Sequence, residues 1–255
     1  MAFNGDFLTI LVTDETFVGR DERIIDESLT FFFAGSQTSA IAASNLIISL
    51  LKHPEHADRL RTEIENVIIK PYIEESGKNR SEISPKDTLA LINFENGSNM
   101  SHYVNCFNEA LRMQPPVYFS SSVSFSENIQ AGPLKIRKQD PMTISMYHLC
   151  NNEDEWFEPA KFIPERFETD HEYFLTPLGT RRNPFSFSPF LGGSRICIGK
   201  TFIEAVSKLT VPILLQGFNF EFPEGIDKDT YQYPHNNLTA TWTPKVPVNI
   251  SKRDM

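Results

Sequence analysis

Cysteine is scarce in this 255-residue chain: Cys106, Cys150 and Cys197 stand far apart, with no Cys-x-x-Cys pair and no histidine cluster at zinc-finger spacing. Neither a disulfide framework nor a structural zinc site is therefore indicated, and a reducing, intracellular compartment is the expectation. Basic residues are also in deficit. With 24 Lys and Arg against 33 Asp and Glu, the formal net charge is -9, which argues against nucleic acid or an anionic membrane surface as the main partner. Long hydrophobic runs are missing too. The most apolar stretch, Ile41 to Leu51, is broken by Ser44, Asn45 and Ser49 and falls short of the ~20 residues of a membrane span, so none is expected. The amino terminus, MAFNGDFLTILVTDE, lacks the basic region and cleavage site of a signal peptide and reads as the inside of a domain. No repeat or low-complexity tract is present, and the sequon Asn237-Leu-Thr239 reads as a chance match.

What is present reads first as helix. Asp21 and Glu22 suit a helix start, no proline interrupts the pattern to Lys52, and His53-Pro54 ends it, giving a helix over about 22–52. Its Phe31-Phe32-Phe33-Ala34 and Ile41-Ala42-Ala43 runs put apolar groups on every side, the pattern of a helix buried all round. A second helix starts at Pro54, with Leu60, Ile64, Val67 and Ile68 on one face. Residues 71 to 97 read as a long polar loop holding a short helix near Pro85 to Leu91. A third helix, about 98–113, is capped by Ser98 or Ser101 and stops before Gln114-Pro115-Pro116. A β-rich part follows over 117–149, with Leu134 to Arg137 and Met142 to Leu149 expected to pair across a Lys-Gln-Asp-Pro turn. A proline- and phenylalanine-rich coil, a helix from about Lys200 to Gln216 and short terminal strands complete a mainly α fold with a minor β part. Length alone allows one or two domains.

The most informative segment is Phe190-Leu-Gly-Gly193-Ser-Arg195-Ile-Cys197-Ile-Gly199. A cysteine in a glycine-rich turn is most often a small buried hydrophobe. Here it directly precedes a predicted helix, whose unpaired N–H groups and dipole favour a thiolate, the form that binds metal. Gly193 and Gly199 permit tight turns and close approach of backbone to a large planar cofactor, Arg195 suits an acidic group on it, and Phe190 suits its plane.

This run resembles the FxxGxRxCxG signature of the cytochrome P-450 superfamily at every fixed position. Glu109-Ala-Leu-Arg112 is similar to the family's ExxR, Phe162-Ile-Pro164-Glu165-Arg166-Phe167 to its PERF segment, and Ala34-Gly35-Ser36-Gln37-Thr38-Ser39 to its [AG]Gx[DE]T[TS], all in family order. Taken alone, the last three have ordinary readings: a solvated ion pair, a surface arginine, and a threonine bonded back into its helix. The resemblance implies a haem-thiolate monooxygenase using haem b (iron protoporphyrin IX), electrons from an external reductase, and dioxygen. It implies that Cys197 is the axial iron ligand, that Arg195 pairs with a haem propionate and that Phe190 packs near the iron-sulfur bond. Glu109, Arg112 and Arg166 would form a buried network that fixes the cysteine-bearing coil, and Ala34 and Gly35 would open a groove for dioxygen. The Thr38 hydroxyl would organise proton delivery. Gln37 departs from the family, replacing the usual acid with a group that cannot ionise. Val117 and Phe119, after the Pro115-Pro116 turn, would face an apolar substrate.

The resemblance covers the carboxyl-terminal half of that fold, so residues 1–255 are expected to be a partial domain with the haem-binding loop at 187–199. A missing amino-terminal half would hold much of the pocket and any anchor to the endoplasmic reticulum. A non-catalytic truncated product and a peroxide-using or isomerising relative are the alternatives within the family. Outside it, Gly193 to Thr201 approaches a P-loop nucleotide site, but five residues rather than four separate Gly193 from Gly199, and prolines break the preceding segment where a strand is required.

Overall fold

A computed structural model describes residues 6–97, 99–226 and 246–253. The sequon at Asn237 and the proposed cap Ser98 lie outside these residues. The architecture is mainly helical. In chain order it comprises α1 (Phe7–Thr13), α2 (Asp21–Lys52), α3 (Pro54–Ile64), α4 (Lys70–Ser76), α5 (Pro85–Leu91), α6 (Phe94–Gly97), α7 (Ser101–Met113), β1 (Ile129–Ala131), β2 (Leu134–Ile136), α8 (Met146–Cys150), α9 (Lys200–Gly217), β3 (Phe218–Glu221) and β4 (Asn249–Lys252). The core lies where α2, α3, α7 and α9 meet. Leu46 and Leu50 of α2, Leu60 and Ile64 of α3, Tyr103 and Phe107 of α7, and Val211 and Leu215 of α9 form one buried cluster.

The long helix forms over nearly the expected range, but its burial is not uniform. Ile41, Ala42, Leu46 and Leu50 are buried, whereas Phe32 is 76% and Phe33 68% exposed. Only the carboxyl-terminal half of α2 has α3, α7 and α9 against it; the amino-terminal half meets α1, where the Phe7 and Phe31 rings sit 4.4 Å apart. α1 itself is buried at Leu11 and exposes Phe7, Leu8, Ile10 and Val12. The expected lack of any segment fit for a membrane also needs correction. By length and composition α2 is sufficient to cross one, because Phe31 to Phe33 extend the apolar window amino-terminal of Ile41. Its packed second half is that of a core helix.

The second helix continues past its expected end. A π turn over Glu65–Ile69 joins α3 to α4, carrying the chain to Ser76, where Gly77 closes it at φ +69°. Pro71 lacks an N–H and would clash with the preceding turn of a regular helix; the wider turn ahead of it relieves that conflict. Residues 71–76 are thus helix rather than loop, while α5 appears as expected under a Ser84–Asp87 capping box.

In the β-rich region the expected pairing is replaced. Leu134–Ile136 turns back on Ile129–Ala131 through Gly132-Pro133, with Gly132 at φ +57°, the conformation a two-residue hairpin loop favours. Met142 pairs instead with Val123 at an isolated bridge, and Met146–Cys150 is helical because Ser145 caps it by accepting from the His148 N–H. β3 and β4 form a second antiparallel pair.

α7 is capped from another helix rather than by a serine of its own. Met100 stands at its N-cap, and Glu63 of α3 accepts from the backbone N–H groups of His102 at 2.7 Å and Tyr103 at 2.9 Å. A carboxylate on unpaired N–H groups at a helix start is favoured by both hydrogen bonding and the dipole. Glu63→Ala should therefore lower the stability of the chain by about 1–2 kcal/mol, read as a lower denaturation midpoint. An unchanged midpoint would show that the contact contributes nothing.

Candidate functional site

The segment before α9 is a chain of tight turns, most of whose backbone bonds run to near neighbours. The Leu191 N–H donates to the Ser188 carbonyl at 3.1 Å, Ile196 to Gly193 at 3.2 Å, and Lys200 to Cys197 at 3.3 Å. The Cys197 N–H donates to the Phe190 carbonyl at 2.9 Å, closing a loop between two residues of the signature. Two backbone features hold this shape. Gly193 adopts φ +68°, and Leu191 adopts φ +62°, a conformation that costs a branched side chain energy and concentrates at functional sites. Gly192 is equally constrained. A Cβ there would lie 3.0 Å from the Phe185 ring. At Gly199 an added Cβ would meet the Cys197 Sγ at 3.8 Å, an ordinary contact, so its role is not to avoid a clash with the sulfur.

Cys197 is exposed, whereas Cys106 and Cys150 are buried. Burial pushes both of the latter thiols up, that of Cys150 to about 11, so they stay protonated at neutral pH. Cys197 opens on a cavity of about 280 Å³ shared by Thr38 and Ala42 of α2, by Val117 and Phe119 after α7, and by Phe190 and Arg195. The sequence separates these residues widely; the packing of α2, α7 and α9 brings them together. Ala34, Gly35 and Gln37 do not line this cavity, nor do Gly193 and Gly199. Ala34 is exposed, Gln37 is half-buried, and a Cβ at Gly35 would meet nothing within 4 Å. The Thr38 hydroxyl donates to the Ala34 carbonyl at 2.6 Å, the back-bond common to helical threonines, which leaves its oxygen lone pairs as acceptors. Leu191, at a variable position of the signature, Pro116 of the Pro115-Pro116 turn and Met146 also line the cavity, and no local signal in the sequence marks Met146.

The coil that leads to this loop is held by a buried ionic cluster. Glu109, Arg112 and Arg166 have fully buried side chains. Arg112 grips the Glu109 carboxylate through two nitrogens, at 2.7 and 2.9 Å, while Arg166 donates to the same carboxylate at 2.9 Å. The Ile163 backbone N–H adds a second kind of donor at 2.9 Å. One carboxylate cannot balance two guanidiniums, and backbone carbonyls take up the remainder. Arg112 donates to those of Cys150, Pro159 and Lys161, and Arg166 to those of Phe157, Glu158 and Lys161. A third guanidinium, Arg182, lies 4.3 Å above the buried Trp156 ring and donates to the Arg166 carbonyl at 2.8 Å. Burial lowers its pKa to about 10, which still leaves it charged at neutral pH. Neither Arg182 nor Trp156 belongs to a motif, and sequence reasoning missed both.

The donor chemistry of the cavity fits a haem. A solvent-reachable thiol faces a largely apolar wall that carries one guanidinium, as an apolar macrocycle with anionic propionates and a thiolate-bound iron requires.

Comparison with known proteins agrees with this reading. The family model for Cytochrome P450 matches residues 5–247. Cytochrome P450 4A7 of Oryctolagus cuniculus is 32% identical over 224 residues, covering 85% of this chain and 37% of the relative. Cytochrome P450 4F8 of Homo sapiens is 27% identical over 216 residues, covering 84% and 37%, and leukotriene-B4 omega-hydroxylase 3 of Mus musculus is 29% identical over 238 residues, covering 92% and 40%. The chain thus spans about two fifths of the length of these relatives. Its helical fold with a minor β part and the match over residues 5–247 make it a member of the cytochrome P450 family, the haem-thiolate oxidoreductases.

Proposed function

We propose that this chain carries the thiolate loop and the oxygen-side helix of a monooxygenase that inserts one atom of dioxygen into an apolar organic substrate. The observation that supports it is the shared cavity: Cys197 and Thr38, on separate elements, open on the same space. Cys197 would ligate the iron of haem b, Arg195 would pair with a propionate, and Phe190 would pack beside the sulfur. When bound, the haem supplies the dioxygen-activating chemistry, driven by electrons from an external reductase. The remaining tasks fall to the protein. Val117 and Phe119 present apolar surface to the substrate, and Thr38, whose own proton is engaged by Ala34, offers its oxygen to hold a water or a protonated group. The name of the mouse relative supports omega-hydroxylation as the form of the reaction here: oxidation at the far end of an apolar chain.

Proton delivery gives the test. In haem-loaded protein with a reductase, Thr38→Val should keep the shape of the helix, remove the acceptor, and raise peroxide released per product several-fold. Gln37→Glu should leave coupling equal or better. A Thr38→Val protein with unchanged coupling would instead favour a peroxide-using or isomerising enzyme, in keeping with the non-ionising Gln37.

A further inference from the structure

Away from the cavity, the first turns of α3 and α7 and the Pro164–Phe167 turn bring together residues that no motif connects. His102 and Cys106, one helical turn apart on α7, approach to 3.5 Å between Nε2 and Sγ. The His56 ring of α3 stacks on that of His102 with centroids 5.4 Å apart, and its Nδ1 lies 3.8 Å from a Glu165 carboxylate oxygen. One ligand atom from each of His56, His102 and Cys106 falls within 4.8 Å of the others; the same holds for His102, Glu165 and Glu168. His102 is only 4% exposed; its Nε2 is the nitrogen turned to the sulfur, and Nδ1 has no hydrogen-bond partner among the described residues.

We propose that His56, His102 and Cys106, with the Glu165 carboxylate as the fourth ligand, form a tetrahedral zinc site that pins α3 and α7 to the Pro164–Phe167 turn. Two nitrogens, a sulfur and a carboxylate oxygen are a borderline-soft donor set that suits zinc over calcium or magnesium. Ligand atoms around tetrahedral zinc stand roughly 3.3–3.7 Å apart, given metal-ligand bonds of about 2.0–2.3 Å. The His102–Cys106 pair already meets that separation at 3.5 Å. The other pairs among His56, His102 and Cys106 lie within 4.8 Å and need to close by about 1 Å, which His56, in the first turn of its helix, can do by side-chain rotation; Glu165, grouped with His102 and Glu168 rather than with Cys106, has to swing towards the sulfur.

The imidazole of His102 is ready to ligate, because burial, reinforced by the nearby Arg59, lowers its pKa to about 4 and keeps it neutral. The Cys106 thiol is held protonated by burial in the apo chain and would release its proton to solvent as zinc binds. Thiolate and Glu165 together would neutralise the divalent ion. Arg59, whose two terminal nitrogens now rest on Glu165 at 2.6 Å and Glu168 at 3.3 Å, would keep its bond to Glu168. Glu63, engaged by the α7 backbone, adds negative charge to the surroundings.

Cobalt(II) titration of the purified chain tests the site, because a thiolate ligand produces a sulfur-to-cobalt charge-transfer band that zinc abolishes by competition. The expected result is one equivalent bound, with a band that persists in Cys197→Ser and is lost in Cys106→Ser. His56→Ala, at a largely buried but helix-terminal position, should weaken binding tenfold or more. Zinc should raise the unfolding temperature of the parent and of Cys197→Ser but not of His56→Ala. Should Cys106→Ser fail to fold, Cys197→Ser and His56→Ala carry the test. A chain that binds no cobalt at one equivalent, a band that vanishes with Cys197→Ser, or affinity unaffected by His56→Ala would each overturn the proposal.

Discussion

Replacing Cys197 with alanine should abolish the red-shifted Soret band that a thiolate-ligated haem gives when reduced and exposed to carbon monoxide. The other two cysteines cannot substitute. Both are buried, with thiols driven up by desolvation, and neither lines the cavity on which Cys197 opens. Cys197→Ala removes the only exposed sulfur among the described cysteines while leaving the bond from the residue-197 N–H to the Phe190 carbonyl, since that bond is made by backbone. The loop should therefore persist without its ligand. Cys197→His should retain haem but show an imidazole-type spectrum in place of the thiolate band. A red-shifted band that survives Cys197→Ala would falsify the assignment of this residue as the axial ligand.

Arg112→Ala should eliminate most of the folded, haem-loaded protein rather than slow its turnover. Arg112 makes two bonds to Glu109 and reaches the carbonyls of Cys150, Pro159 and Lys161, all without exposure to solvent. Its removal takes the guanidinium from the Cys150 and Pro159 carbonyls, leaves the Lys161 carbonyl to Arg166, and leaves Glu109 held by Arg166 and the Ile163 N–H alone. Breaking a buried pair from one side costs about 3–5 kcal/mol, against the ~5–15 kcal/mol that holds a domain together. Arg166→Ala should behave alike, because it strips the carbonyls of Phe157 and Glu158 as well as Glu109. Soluble protein yield, haem per chain and the denaturation midpoint measure the loss. A haem-replete Arg112→Ala protein of near-parent stability but slow turnover would assign the cluster a part in the reaction instead.

Much of this molecule is written locally, and that part the sequence determines alone. The starts of α2, α5 and α9 and the i, i+3 spacing of Glu109 and Arg112 rest on short-range rules, caps, proline stops and the 3.6-residue period, and the run Phe190 to Gly199 is contiguous. Two of the misreadings share a cause, which is that the deciding partner lies far along the chain or is not among the described residues; the strand pairing turns on a nearby glycine. Phe32 and Phe33 carry the pattern of a buried helix, yet burial needs a neighbour, and among the described residues only the half of α2 from Ile41 onward has three of them. Leu134–Ile136 could pair forward or backward; the left-handed Gly132 decides for Ile129–Ala131. α7 takes its cap from Glu63 of α3, a distant carboxylate that no window around Ser101 contains.

The same division runs through the site. Motif spacing singles out Thr38, Arg195 and Cys197, but only the crossing of α2 with α7 and α9 puts them around one cavity and leaves Ala34, Gly35 and Gln37 outside it. Glu109, Arg112 and Arg166 are legible as motif residues, whereas the carbonyls that balance their excess charge, and the Arg182 stacked on Trp156, depend on how the coil folds back. His56, His102, Cys106 and Glu165 form no spacing pattern at all, because their proximity comes from two helices and a turn converging in space. Short-range hydrogen bonding and side-chain periodicity set most of the helices, the resemblance of the motifs named the chemistry, and the long-range burial of apolar and charged groups decided which residues meet.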